Sequence, residues 1–465
     1  MSNVQLEAEE IANREQPCHV GETDARRKRD QGKLLRATIP RRAHATWEPT
    51  RRIDPLDTLA ETCVDRVKQL LPIRFGRMLE SPLAFLRGAP LIMARDLSAG
   101  PRTGVSVQAC GDAHLMNFGL FASPERNLLF DINDFDETLH GPWEWDVKRL
   151  AASIVVASRV YGHWHTAGSD CALACVRAYR KNILCYSKRP WLDVWYSRVD
   201  GEHVLKEFQH EQRKRIARKI DKAEKCDQQE AVSDLAEDDD GCLNFVENPP
   251  ILTHKSGELS EYGLDRILKS YRRTLQDDRR HLFDCYKMVD FALKVVGVGS
   301  VGTRCFAVLF RSGHKNDCIV LQIKEATPSV FESLAGSTWN GNQGQRTVVG
   351  QRLIQGFTDI FLGWGSDGER DFYVRQLRDM KGQLGAESSS VGELELYAGL
   401  CGWTLARAHA RSGNAALIAG YLGKSDVFDQ ALSDFAASYS DQVEQDFDAF
   451  KAAVDSGRIP VERGV

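Results

Sequence analysis

The sequence of 465 residues has no apolar run long enough to cross a membrane. Its most apolar stretch, from Leu150 to Val160, is much shorter than the roughly 20 residues that a membrane-spanning helix needs. The N-terminal segment mixes acidic with basic residues and has no apolar centre, which is unlike a secretory leader. We therefore expect a cytoplasmic protein with no membrane partner.

Closely spaced cysteines are also missing. The twelve cysteines are scattered singly, with Cys171 and Cys175 as the nearest pair, and they form neither C-x-x-C nor a Cys/His zinc spacing. We expect these thiols to be reduced and mostly buried, because nothing places them in an oxidising compartment.

The chain has no excess of positive charge. Its formal net charge is −4, which argues against general nucleic-acid binding. A small molecule or another protein is the expected partner.

The length predicts two lobes, since one hydrophobic core rarely supports so long a chain. Residues 1–50 are polar and without sustained periodicity, which predicts a disordered arm. Residues 51–290 are predicted to form a mainly helical lobe, with an acid-rich surface excursion at about 221–256. Residues 291–385 are predicted to form a β-rich lobe, and residues 386–465 to form helices that return to the first lobe.

The secondary-structure pattern changes near residue 295. A helical stretch is predicted from about Tyr262 to Lys294. The glycine loop that follows leads into CFAVLF and CIVLQIKEA, which predict two antiparallel strands, and FYVRQL predicts another. A helix is predicted at about 345–356. The fold class is therefore α+β.

The densest chemistry lies between residues 111 and 146. Asp112 and Asn117 are five positions apart in a loop before a predicted hairpin, and Asp134 closes its second strand. Antiparallel pairing would place Asn117 and Asp134 side by side. Amide and carboxylate oxygens are hard ligands that Mg²⁺ accepts, and phosphate oxygens and water complete its octahedron. Asp112 would lie near enough to accept a proton from an attacking hydroxyl.

These residues form G-D-x-H-x-x-N, D-F-D and G-P-x-x-x-D, and this set resembles the catalytic core of aminoglycoside phosphotransferases and choline kinases. The resemblance implies that Asp112 is the catalytic base and that Asn117 and Asp134 bind the metal. It also implies a second metal contact at Asp136. Asp and Asn are common in turns, so any one of these residues alone would indicate only a turn or a helix cap.

Two further residues of this segment match the same pattern. His114 is similar to the loop histidine of that family and is expected to be structural. Asp146 opens the helix after the hairpin, and the resemblance implies that it braces the catalytic loop through hydrogen bonds.

A second motif lies in the predicted β-rich lobe. Gly297, Gly299 and Gly302 form G-x-G-x-x-G, a spacing that also occurs in plain hairpin turns. A dinucleotide fold would require a helix directly afterwards, whereas CFAVLF is rich in strand formers. In protein kinases the same spacing covers the ATP phosphates, and a lysine follows on the third strand. Lys324 in LQIKEA takes that place and is predicted to bind the phosphates, although an exposed lysine at a strand end is the plainer alternative.

The order of these parts is the reverse of that in kinases. The resemblance therefore implies a circularly permuted, protein-kinase-like fold of two lobes, in which LARAHARSG resembles the helix that enters the catalytic loop. The acidic partner of the lysine is not evident, because Glu332 is close in sequence and the predicted helix at 345–356 offers Gln351 but no acid.

Taken whole, the chain is identified as a member of the bacterial domain-of-unknown-function family 2252. The stretches that carry this resemblance are IPRRAHATW, CGDAHLMNFG, DINDFDETLHGPWEWDVKRLAAS, KVVGVGSVGTR, LQIKEA and ARAHARSG. This family supplies no activity, so the function is predicted from the kinase-like features.

The first hypothesis is an ATP- and Mg²⁺-dependent phosphotransferase that acts on an unidentified small-molecule or protein hydroxyl. Nucleotidyl transfer by the same residues stays open. A non-catalytic nucleotide-binding regulator is the second hypothesis, and a pure binder would need no base at Asp112. A metallophosphoesterase is third, since such enzymes need further His and Asp ligands that the nearby sequence does not offer.

Overall fold

The computed structural model describes residues 22–48, 52–201, 204, 213–214, 217–218, 220–221, 228–239, 242–254, 257–314, 317–377, 382 and 390–464. The α-helices are α1 Glu22–Thr38, α2 Pro55–Glu61, α3 Leu71–Met78, α4 Pro82–Gly88, α5 Pro90–Ser98, α6 Trp143–Val160, α7 Ala167–Tyr186, α8 Trp191–Tyr196, α9 Gln228–Leu235, α10 Glu261–Thr274, α11 Asp277–Asp284, α12 Glu332–Ala335, α13 Gln343–Ile354, α14 Val391–Ser412, α15 Ala415–Leu422 and α16 Val427–Asp455. The strands are β1 Ser106–Ala109, β2 Phe118–Ala122, β3 Leu128–Ile132, β4 Leu139–Pro142, β5 Ala236–Asp239, β6 Cys242–Phe245, β7 Leu252–Thr253, β8 Lys287–Lys294, β9 Cys305–Arg311, β10 Cys318–Ala326, β11 Gly363–Ser366 and β12 Asp371–Gln376.

The largest sheet is antiparallel and has six strands in the order β11-β12-β10-β9-β8-β7. Its strands are rich in β-branched and aromatic residues, which fit a pleated surface. One face packs on α10 and α11, where Tyr271 and Phe283 are buried. The other face is covered in part by Leu243 and Phe245 of β6. The sheet therefore has apolar packing on both faces.

The second and larger core is formed by helices. Helix α6 is buried over nearly its whole surface and packs with α7, α14, α15 and α16. Helix α14 begins with a capping box, in which Ser390 and Glu393 each bind the backbone amide of the other. At the crossing of α7 and α14, a Cβ at Gly402 would lie 2.1 Å from the carbonyl oxygen of Cys175, so only glycine fits there. Because the helices and the main sheet are segregated, the architecture is α+β.

The prediction of a disordered arm at residues 1–50 is wrong for the part that the structure describes; residues 1–21 and 49–50 lie outside it. Residues 22–38 form α1, which packs on α15. The two helices approach so closely that a Cβ at Gly420 would lie 2.0 Å from the carbonyl oxygen of Arg29. The guanidinium of Arg36 also donates a hydrogen bond to the carbonyl oxygen of Tyr421, at 2.8 Å. Tertiary contacts with a distant segment therefore order a stretch that has no apolar periodicity of its own.

Two boundaries inside the first predicted lobe also need correction. The described parts of 221–256 form α9, β5, β6 and β7, and they cover the sheet and extend its edge, so this segment is more than a surface excursion. The helical stretch predicted from Tyr262 to Lys294 ends at Asp284, and Lys287–Lys294 forms β8. Phe291 and Leu293 of this strand alternate toward the apolar core on one face, which is a strand pattern in a short segment.

No helix in the described ranges is both long and apolar enough to cross a membrane.

Candidate active site

The β2–β3 hairpin brings Asn117 and Asp134, two of the three predicted metal ligands, together. Phe118 pairs with Ile132, and the backbone amide of Asn133 donates to the carbonyl oxygen of Asn117 at 2.9 Å. The side-chain amide of Asn117 then donates to the carbonyl oxygens of Asp134, at 3.1 Å, and Asp112, at 3.0 Å. One side chain therefore joins the loop of Asp112 to the end of the second strand.

The side-chain oxygen of Asn117 is a free acceptor. Asn117 is 3% exposed, and its Oδ1 is buried without a hydrogen-bond partner in the described part of the chain. The two carbonyl oxygens that Nδ2 contacts fix which side-chain atom is the oxygen. A buried acceptor without a partner is costly, so this atom fits the binding of a cation.

The donor set suits Mg²⁺ better than a transition metal. Asn117 and Asp134 offer oxygen ligands, and the described residues contain no group of three or more His, Cys, Asp or Glu side chains placed to hold a metal ion. Mg²⁺ commonly takes one or two protein ligands and completes its shell with water and phosphate.

Asp112 lies beside this pair with one carboxylate oxygen fixed. The guanidinium of Arg149 on α6 contacts Oδ1 at 2.5 Å. Oδ2 lies 3.7 Å from Nε2 of His114 and accepts no hydrogen bond from the residues that the structure describes. Burial raises the pKa of the Asp112 carboxyl, and the charge of Arg149 opposes this shift. Burial also lowers the pKa of His114 well below its usual value, so His114 is neutral.

Asp146 holds the loop that carries Asp112. Its carboxylate accepts hydrogen bonds from the backbone amides of Cys110, at 2.6 Å, and Gly111, at 3.0 Å. Gly111 has a φ of +85°, and a Cβ there would lie 2.1 Å from the carbonyl oxygen of Glu137, so the turn requires glycine. Nε2 of His409 on α14 lies 3.1 Å from the Asp146 carboxylate. Helix α14 thus contacts the loop through a fully buried carboxylate.

Lys324 is buried and reaches the same hairpin from the sheet. It is 2% exposed, and its ammonium forms an ion pair with the carboxylate of Asp136, 188 residues away in sequence. The hydroxyl of Tyr373, on the neighbouring strand β12, donates to the other oxygen of Asp136 at 2.8 Å. The acidic partner of the lysine is therefore Asp136, and neither Glu332 nor Gln351 contacts it. The alternative of an exposed lysine at a strand end is wrong.

The glycine turn between β8 and β9 lies against the acidic end of the hairpin. Oγ of Ser300 is 3.4 Å from the Asp136 carboxylate. Gly302 has a φ of +88°, which favours glycine. Arg66 donates to the carbonyl oxygen of Gly299 at 2.9 Å and holds the turn in place, whereas nothing lies within 4 Å of a Cβ built at Gly297.

Sequence comparison assigns the chain to a family. The residues from 66 to 453 match the family described as an uncharacterized protein conserved in bacteria (DUF2252). The chain belongs to this family. A search of the curated proteins and a search of the solved structures gave no match. All the residues of the candidate site lie within the matched part of the chain.

The carboxylates of the DUF2252 site have divergent pKa values. Burial, and then the neighbouring Asp136, raises the pKa of Asp134. Burial would also raise the pKa of Asp136, but Lys324 outweighs it and the pKa is lowered. Burial raises the pKa of Glu137 to about 7. Groups with such shifts are typical of functional sites.

Sequence reasoning on this DUF2252 chain missed several residues that shape the site. Arg346 of α13 donates to the carbonyl oxygens of Asp136, at 2.7 Å, Thr138, at 2.6 Å, and Thr327, at 2.7 Å, so it joins the segment after the hairpin to the segment after β10. Arg149, Tyr373 and His409 were missed as well. Their spacing gives no signal, although His409 falls in the ARAHARSG stretch that the resemblance singles out.

Proposed function

We propose that this protein is an ATP- and Mg²⁺-dependent phosphotransferase with a circularly permuted, kinase-like arrangement, acting on a hydroxyl of a small molecule or protein. The observation that carries the proposal is the ion pair between Lys324 and Asp136. It joins a lysine that follows a glycine turn to a hairpin that carries a candidate base and two candidate metal ligands.

The order of elements in the sheet lobe supports the proposal. Counted from β8, the strand that leads into the glycine turn, β9 is the second strand and β10 is the third, and the two-residue β7 at the sheet edge precedes all three. In protein kinases the phosphate-binding lysine lies on the third strand after a glycine-rich turn, and Lys324 lies on β10. The hairpin with Asp112 precedes these strands in the chain, while α14 follows them and contacts Asp146 through His409. This sequence of parts is what a circular permutation would produce.

The residues divide into binding and proton-transfer roles. The backbone of the glycine turn and the ammonium of Lys324 would hold the nucleotide phosphates. Asn117 and Asp134 would hold Mg²⁺, which when bound neutralises negative charge on the phosphate oxygens. The acceptor hydroxyl would give its proton to Oδ2 of Asp112, while Arg149 fixes the other oxygen and so orients the carboxylate.

A nucleotide-binding regulator without turnover is the second candidate. The observation in its favour is that the site is largely charge-compensated without substrate, because Arg149 pairs with Asp112 and Lys324 pairs with Asp136. An ion pair on the candidate base lowers its tendency to take a proton.

Calorimetric titration of ATP with and without Mg²⁺, beside an assay for nucleotide products, tests the proposal. We expect ATP to bind more tightly in the presence of Mg²⁺ and ADP to be released. Asp134→Ala should lose the increase in ATP affinity that Mg²⁺ causes. Asp434→Ala on the exposed surface of α16 is the matched control and should behave as wild type. Release of AMP would instead indicate nucleotidyl transfer, and binding with no product over hours would favour the regulator. A wild-type protein that binds no nucleotide would overturn the proposal.

A further inference from the structure

Arg87 is a cation of the site that no motif singles out. It lies in the last turn of α4, and its charge acts on both Asp112 and His114. On the other side, its carbonyl oxygen is 3.4 Å from the position that a Cβ of Gly299 would take. Arg87 therefore lies between the candidate base and the glycine turn.

The backbone around Arg87 is firmly held. Arg149, which also orients Asp112, donates to the carbonyl oxygen of Leu86 at 3.0 Å. The fully buried Arg74 donates to the carbonyl oxygen of Gly88 at 2.7 Å. The carbonyl groups on both sides of Arg87 are thus fixed by guanidinium groups, so the backbone that carries Arg87 needs no ordering when the side chain binds a ligand.

The guanidinium of Arg87 differs from the other cations around it in forming no hydrogen bond or close ion pair with the described residues. Its Nε is buried without a hydrogen bond, while the residue as a whole is half-buried. The other cations of the site all contact a carboxylate or a carbonyl or amide oxygen, and these are Arg66, Arg149, Lys324, Arg346 and Arg375. An arginine with a buried, unsatisfied donor beside an anion-binding turn is suited to a forked contact with oxyanions.

We infer that Arg87 binds the oxygens of the terminal phosphate of the nucleotide, and so positions the group that is transferred toward Asp112. The inference rests on the proposed function. The terminal phosphate is the part of a triphosphate that must lie between the glycine turn and the base, which is where Arg87 lies. An arginine in this position neutralises charge that develops on the transferred phosphoryl group.

The test compares the affinities of Mg²⁺-ATP and Mg²⁺-ADP by calorimetric titration. The proteins are wild type, Arg87→Gln, Arg87→Lys and the control Arg273→Gln, which removes an exposed arginine on α10. Wild type is expected to prefer ATP. Arg87→Gln should weaken ATP binding by about tenfold or more, as loss of a hydrogen bond between charged groups predicts, and leave ADP binding unchanged. Arg87→Lys keeps the positive charge but cannot make the forked guanidinium contact, so its affinity for ATP should lie between those of wild type and Arg87→Gln. Arg273→Gln should bind both nucleotides as wild type does.

If Arg87 has only a structural role, Arg87→Gln should bind ATP and ADP more weakly to the same extent. That result would overturn the inference. An unchanged preference for ATP in Arg87→Gln would overturn it as well, while nucleotide binding itself would still support the proposed function. If the wild-type protein binds neither nucleotide, both the inference about Arg87 and the proposed function are overturned. Circular dichroism and the thermal midpoint identify any variant that fails to fold, and Arg87→Lys then carries the comparison.

Discussion

At the scale of single residues, Asp112 has two carboxylate oxygens in different surroundings. One is fixed by Arg149, and the other lies 3.7 Å from Nε2 of His114 and accepts no hydrogen bond from the described residues. Asp112→Asn keeps an acceptor for Arg149 but removes the group that takes a proton. We expect turnover to fall by about a hundredfold or more, with nucleotide affinity nearly unchanged, because general-base catalysis typically contributes on that order. Turnover and calorimetric affinity measured on the same preparation check this. Normal turnover would remove Asp112 from the role of base.

Glu137 gives the site a pH dependence with a defined sign. Burial raises the pKa of this carboxyl to about 7 in the folded protein, above its ordinary value of 4.5. The folded state therefore favours the protonated form, so stability is lost as the pH rises from about 4.5 through about 7. Glu137→Gln should remove that loss and raise the free energy of unfolding above pH 7 by on the order of 2 kcal/mol.

Urea unfolding at several pH values between 5 and 8 tests this second prediction. The glutamine keeps a side-chain oxygen for the contact that Glu137 makes with the backbone amide of Val330, at 2.7 Å. Parallel pH profiles for wild type and the variant would contradict the assignment of the titrating group to Glu137.

Residues that belong to a short motif could be chosen from the sequence, whereas residues placed by tertiary contact could not. Asp112, Asn117 and Asp134 lie within one loop and hairpin, so local geometry relates them. The pairing of Asp136 with Lys324 depends on how two segments separated by 188 positions fold together. Arg87 has no such local relation to any site residue, and sequence spacing gives no signal for it.

At the scale of elements, a buried ion pair links the hairpin to α14. Arg407 is fully buried and contacts the carboxylate of Asp131, which also accepts from the backbone amide of Gly356 at 2.8 Å. Arg407→Met leaves a buried carboxylate without its cation, which typically costs about 3–5 kcal/mol. We expect a lower free energy of unfolding in urea by about that amount. The double variant Asp131→Asn/Arg407→Met should recover much of the lost free energy of unfolding. If the losses of the two single variants simply add in the double variant, Asp131 and Arg407 are not energetically coupled.

Helices and strands could be predicted from the sequence where a single hydrophobic periodicity is clear. The alternating apolar residues of CIVLQIKEA predict a strand, and the structure has β10 at the same residues. Strand β8 was missed because the apolar residues of KMVDFALK do not alternate strictly with polar ones, and because the strand is exposed at its start. Its identity is set by pairing with β9.

At the scale of the whole molecule, two cores meet where Lys324 of the main sheet contacts Asp136 at the end of the hairpin. The larger core comprises the hairpin and α6, and the other main core lies under the sheet. The α+β class could be predicted from the segregation of helical and strand patterns. The contact between the sheet and the hairpin could not be predicted from these patterns, because neither pattern carries information on relative placement.

The two ends of the chain also depend on each other. All residues of α15 except Leu417 are buried, and α1 packs along this apolar helix. Deleting residues 1–38 would expose that helix to water and remove the bonds of Arg36 to the carbonyl oxygens of Gly420 and Tyr421. We expect a thermal midpoint lower by several degrees and concentration-dependent self-association, since large exposed apolar patches promote association.

Deleting residues 1–21 alone is the matched control for this truncation, because it removes none of the contacts between α1 and α15. Both truncated proteins keep His44, which is buried against the hydroxyl of Tyr421 at 2.8 Å, so any difference between them comes from α1. Thermal unfolding followed by circular dichroism, with light scattering at two concentrations, measures the effect. Equal midpoints and a monomeric state for both would mean that α1 contributes no net stability and that α15 is protected without it.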